Sequence, residues 1–151
     1  MASVVDSAIL TVSISESIEL NGRKIGGQEI RKISGINEVL ERIVTVQSSG
    51  TSILAFGSSP GAGTFVRDNV KYVRITNLDD STAIRLVLIN GNTDVNLEVN
   101  PLQSFIISKV TCRAEDDAAS ITPDNITSIK AYTDSSAGAA SSDVEIFVAS
   151  V

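Results

Sequence analysis

Histidine and tryptophan are absent from this 151-residue chain, cysteine occurs once, and two tyrosines and four phenylalanines are its only aromatics. Without histidine there is no Ser-His-Asp or Cys-His arrangement, and the side chain that most often serves as base, acid or zinc ligand near neutral pH is missing. A single cysteine, Cys112, builds neither an internal disulfide framework nor a cysteine zinc site. Stability must therefore come from packing or from partner subunits. Cys112 itself reads as a small half-buried residue, and a lone thiol suits a reducing or neutral compartment. The absences point to a building part rather than a reactor, with no cofactor expected.

Basic residues are also few: twelve Lys and Arg stand against eighteen Asp and Glu, a net charge of −6. That balance opposes phosphate backbones and anionic lipid, so neither nucleic acid nor a membrane is an expected partner. The deficit is uneven. From Thr111 onward only Arg113 and Lys130 face Glu115, Asp116, Asp117, Asp124, Asp134, Asp143 and Glu145, so that end should meet solvent or a basic neighbour. The start, MASVVDSAILTV, lacks the basic opening of a secretory signal. The uncharged run from Ile43 to Val66 is broken by Ser, Thr, Gly and Pro and does not read as a membrane span.

What is abundant is the β-branched class, with valine and isoleucine far ahead of leucine, and their stiff side chains suit pleated strands. Leu10, Val12, Ile14, Ile18 and Leu20 alternate with Thr11, Ser13, Ser15, Ser17 and Glu19, the period-two sign of one buried face. Asn21-Gly22 follows at once and suits a two-residue hairpin turn, reversing the chain into Arg23–Ile33; Gly26-Gly27 should bend or interrupt that return strand. In INEVLERIVTVQ a helical turn capped by Asn37 competes with strand. Ile43–Gln47 and Ser52–Phe56 read as a hairpin around Ser48-Ser49-Gly50-Thr51. GSSPGAGT then forms a loop, and Val70–Asn77 resumes the alternation before a turn at Asp79-Asp80-Ser81. AIRLVLI, VNLEV and SFIISKV follow in quick succession; Ile84, Leu86 and Leu88 lie on one face, as do Val95, Leu97 and Val99, so these adjacent strands should cover one side of a common core. A strand near Ile126–Thr133 and the closing DVEIFVASV complete the pattern. About nine short strands predict an all-β fold, an antiparallel β-sandwich or jelly-roll-like barrel. Its domains are an N-terminal arm or hairpin over residues 1–35 and a sandwich over 36–151.

GSSPGAGT is glycine-rich, but Thr64 and Phe65 stand where a phosphate loop needs Lys-Ser/Thr. Asp79-Asp80 and Glu115-Asp116-Asp117 lack the alternating pattern of a calcium loop, and no lysine lies three residues after a serine. Glu16 with Glu19, or Glu38 with Glu41, could pair as glycosidase carboxylates, yet no aromatic platform accompanies them. Tyr72, Tyr132, Phe105 and Phe147 read as core or rim packing. Asn125-Ile126-Thr127 matches a glycosylation acceptor with no secretory signal to support its use. No catalytic, cofactor-binding or metal residue is assigned.

Four phrases, LERIVTVQSSGTSILAFG, DNVKYVRITNLDDSTAIRLVLIN, LQSFIIS and DVEIFVAS, together resemble small structural proteins of tailed bacteriophages, notably marine and cyanobacterial phages. The resemblance is one of phrasing over roughly Val39 to Ser150 and carries no catalytic residues. It implies a virion component with a β-sandwich core, made in the host cytoplasm and non-enzymatic. The leading expectation is a capsid decoration (cement) protein on the capsid exterior, bound to the major capsid protein or other virion subunits as a homo-oligomer, a trimer being favoured. The alternatives are a tail-associated adaptor, tube or fibre-anchoring ring subunit, and a receptor- or carbohydrate-binding module, which the low aromatic content disfavours. Residues Ala8 to Ile33 would form the arm that touches the shell or a sister subunit.

Overall fold

Alternation of β-branched residues with polar ones carries the secondary structure throughout the computed structural model, which describes residues 6–90, 94–108, 111–113, 123–134 and 141–151, the side chains of 111–113 and 123–125 excepted. The first two strands, β1 (Ala8–Leu20) and β2 (Arg23–Ile36), pair antiparallel along their whole length, from Leu20 opposite Arg23 back to Ala8 opposite Ile36. Asn21 and Gly22 connect them with φ of 51° and 76°. Positive φ at both central positions is the type I′ geometry whose twist matches the strands it joins. Gly26-Gly27 does not interrupt the return strand as expected. Gly26 sits opposite Ser17 with φ of 149°, and a Cβ there would lie 2.0 Å from the Glu16 carbonyl oxygen, so glycine is what lets the ladder run through.

The body is built from β3 (Glu38–Gln47), β4 (Thr51–Gly57), the short β5 (Thr64–Val66), β6 (Val70–Asn77), β7 (Ile84–Ile89), β8 (Val95–Val99), β9 (Ser104–Ile107), β12 (Ser128–Thr133) and β13 (Ser141–Ser150). Between β9 and β12, β10 (Thr111–Arg113) and β11 (Pro123–Asn125) form a separate two-stranded ribbon. One sheet has the order β3-β13-β6-β9, and the other β5-β4-β12-β7-β8. With β5 set aside, the eight long body strands therefore run first-eighth-third-sixth in one sheet and second-seventh-fourth-fifth in the other, the double Greek key of a jelly roll. The arm and the two sheets hold eleven strands rather than about nine. The body pairs are antiparallel except β4 with β5, which is parallel.

One competition is decided here and one expectation is overturned. Residues 38–42 are strand, not a helical turn: Leu40, Val44 and Val46 face the interior, the Arg42 guanidinium donates to the Ile53 carbonyl of the opposite sheet, and β3 pairs with β13 over ten residues. Tertiary pairing outweighs the local helix formers. Nor do β3 and β4 make a hairpin, because the turn closed by Gly50 N–H to the Gln47 carbonyl (3.0 Å) carries the chain from one sheet to the other. Gly50 has φ of 91°, and a Cβ there would meet the Tyr132 ring at 2.3 Å.

Between the sheets lies one apolar core in which Ile53, Ile75, Ile84, Leu86, Ile129 and Ile146 are wholly buried. The expected pairing of the two adjacent apolar faces is present, with Ile84 opposite Val99, Leu86 opposite Leu97 and Leu88 opposite Val95. One end is tied by polar groups. The Asn77 carboxamide, fully buried, donates to the carbonyls of Thr82 (2.8 Å) and Val99 (3.1 Å) and accepts from the Asp79 N–H (3.1 Å). A buried amide so satisfied fixes the β6–β7 corner at little desolvation cost.

Candidate interaction surface

The arm is amphipathic from base to tip. Directly opposed residues share a face, so Leu10, Val12, Ile14, Ile18 and Leu20 of β1, with Glu16 among them opposite Gly27, lie beside Ile33, Ile25 and the charged Arg31, Glu29 and Arg23 of β2. The reverse face carries Thr11, Ser13, Ser15, Ser17, Glu19, Lys24, Gln28 and Lys32, with Ile30 as an exposed apolar residue among them. Only the base is covered. Leu10, Val12 and Ile33 pack with Ile36, Tyr72, Phe147, Ala149 and Val151 on the outer face of the β3-β13-β6-β9 sheet. The Tyr72 and Phe147 rings meet edge to face at 6.0 Å.

From residue 13 to residue 32 every position is exposed. Ile18, Leu20 and Ile25, side by side near the turn, are 57%, 58% and 58% exposed. A two-stranded ribbon alone in water is at best marginally stable, and covering half-exposed side chains of this size stabilises by about 1 kcal/mol each. The arm's outer half thus presents an aliphatic strip with a basic end, where Arg23 and Lys24 flank the turn against a single Glu19. Its middle passes over β9, where Ile14, Arg31, Tyr72 and Ile106 share an open cleft of about 220 Å³.

The rest of that outer sheet face is mixed. Arg74 bonds Glu145 at 2.8 Å with its guanidinium 6.0 Å from the Phe147 ring centre, a half-exposed pair worth little by itself. Val39 and Ile43 of β3 lie uncovered beside them. At the end of the sheet away from the arm base, an open groove of about 390 Å³ is lined by Ile43, Leu78, Asp79, Asp80, Ser141, Ser142 and Asp143. One Asp79 carboxylate oxygen accepts from the Ser81 N–H (2.9 Å), the Thr82 N–H (2.8 Å) and the Ser81 hydroxyl (3.0 Å), and the other accepts from Ser142 (3.2 Å). These donors, the two backbone N–H groups foremost, lower its pKa to about 2.

The residues weighed for chemistry do not converge. Glu16 and Glu19 point to opposite faces of β1, and Glu38 and Glu41 to opposite faces of β3, so neither couple can act as paired carboxylates. Asp79 is spent on its own turn, its two oxygens taken by Ser81, Thr82 and Ser142. Among the described residues no group of three or more Cys, Asp or Glu is gathered as for a metal ion. GSSPGAGT is a loop and turn leading into β5. Tyr72 is buried, Phe105 packs against the core, and Tyr132 carries the Arg85 guanidinium 4.5 Å from its ring centre, so the aromatics are core and rim packing. Glu115, Asp116, Asp117 and the side chains of Cys112 and Asn125 lie outside the described residues. The groove escaped sequence reading because Ile43, Leu78 and Asp143 belong to segments remote along the chain, whereas the alternation of β1 did announce an apolar face. No family model, curated protein or solved structure gives a significant match to the chain.

Proposed function

We propose that this chain is a non-enzymatic structural protein of a tailed-phage virion, a decoration (cement) protein on the capsid exterior that stiffens the shell by binding the major capsid protein. The observation that carries the reading is the arm: some 40 Å of paired strand whose outer half keeps an aliphatic face in water while the body beside it has a closed core. Such a face costs solubility and gains nothing without a partner. Two further points support it. The phrasing of residues 39–150 resembles phage structural proteins, and jelly rolls recur in capsid subunits, an argument from fold analogy alone since lectins and cupins share the architecture.

The test is protein stoichiometry on purified virions with heads separated from tails, joined to a rebinding assay. Many copies per particle in the head fraction, and failure of a chain lacking residues 8–33 to bind undecorated heads, are the expected results. A single ring's complement travelling with tails moves the protein to the adaptor or fibre-anchoring reading. Absence from both fractions defeats the virion assignment.

A further inference from the structure

We infer that the arm tip of one copy docks in the Ile43–Leu78 groove of a second copy, so that the chains join head to tail. The inference does not depend on the virion reading; in a virion the assembled ring, not a free arm tip, would meet the shell, and loss of residues 8–33 would act on head binding through loss of the ring. The two surfaces match in chemistry. The tip offers Ile18, Leu20 and Ile25 with Arg23 on the same face, and Lys24 beside the turn on the reverse face opposite Glu19; the groove offers Ile43, 64% exposed, and Leu78, rimmed by Asp79, Asp80 and Asp143 with no basic side chain among its lining residues. Aliphatic meets aliphatic while the cationic turn meets a carboxylate rim, the arrangement that favours one partner and one register.

Geometry keeps the tip from its own groove. The arm base is seated at Tyr72 and Ala149, and the groove opens at Asp143, six positions along β13 or about 20 Å away. From its base the arm passes Ile106 of β9, the strand at the far edge of the sheet from Ile43-bearing β3. Tip and groove are therefore different patches on different parts of the molecule. Such an interface is heterologous, and it is satisfied everywhere only when the copies close into a ring. In the ring each copy gives one arm and receives one, which covers both the strip and the groove at once.

Sedimentation of the full chain at micromolar concentration is the test, with far-UV circular dichroism and melting of the body as the folding control. The wild-type chain should run as a closed oligomer. Arg23→Glu with Lys24→Glu, and separately Asp80→Lys with Asp143→Lys, should each weaken association at least about tenfold by placing like charges in contact. A chain carrying both reversals should regain it. A wild-type monomer overturns the inference. So does dissociation by the tip reversal with no response to the groove reversal, which would mean arms docking on one another or on a different face of this chain.

Discussion

The arm and the jelly-roll body are written in the same pattern, yet one buries its apolar face and the other does not. In β13 the alternating Val144, Ile146 and Val148 are fully buried between two sheets, while in β1 the equally regular Ile14, Ile18 and Leu20 stand in water. Period-two alternation decides which residues will share a face. It does not supply the second layer. The body's layer comes from its own chain, and the arm's has to come from elsewhere beyond the first few residues held by Tyr72 and Phe147.

The contrast can be broken most strongly at the core. Ile146→Ala should cost about 2–5 kcal/mol and lower the denaturation midpoint of the body sharply. Ile18→Ala should leave body unfolding, followed by near-ultraviolet dichroism of the tyrosines, within about 0.5 kcal/mol. Equal losses at both positions would show that the arm's outer half is packed on the body after all.

Glycine sharpens the comparison next, because each region relies on one. Gly50→Ala puts a methyl into the Tyr132 ring at positive φ and should destabilise the body by about 1–3 kcal/mol. Gly26→Ala should distort the hairpin instead, with loss of arm amide protection in hydrogen exchange and a body melt unchanged. Acid probes the corner. Asp79 has a folded pKa of about 2 against an ordinary 3.8, so its contribution is fully present above about pH 4 and disappears as pH falls through 2. Asp79→Asn should therefore lower stability at neutral pH and flatten the wild-type decline between pH 4 and 2; an unchanged acid limb would assign that decline to other carboxyls. A small gain is expected at Leu102, an exposed residue with φ of 58°. Leu102→Gly should relieve the left-handed strain and raise the melting midpoint by no more than about 1 kcal/mol of stability.

Much of the architecture was legible because its signals are local. Asn21-Gly22 marks the hairpin turn, Val70–Asn77 and Val95–Val99 are strands with the expected limits, and Ile84, Leu86 and Leu88 do line one face. Pairing between remote strands has no such signal. Nothing in residues 37–42 states that β13 will lie beside them, so helix and strand stay in competition there until the pairing is known. The crossing from β3 to the other sheet depends on what β12 and β13 do far downstream. The three-residue β5, β10 and β11 are too short for a periodicity to show. The site divides the same way: the arm's apolar face follows from its own alternation, but the groove exists only once β3, β6 and β13 are in register.

The central position of β13 also sets a timetable. Its partner β3 begins at Glu38, paired with Ser150, so a ribosome needs on the order of 10 s to make the residues that separate them. The arm, closed by a two-residue turn, can form within microseconds of its synthesis. For most of that interval the chain would carry a marginally stable hairpin, its seat on Phe147 and Ala149 not yet made, together with an unclosed sheet. Slower elongation after β3, or a shortage of chaperone, should then be felt first as aggregation of nascent chains, before any loss in the stability of the finished protein.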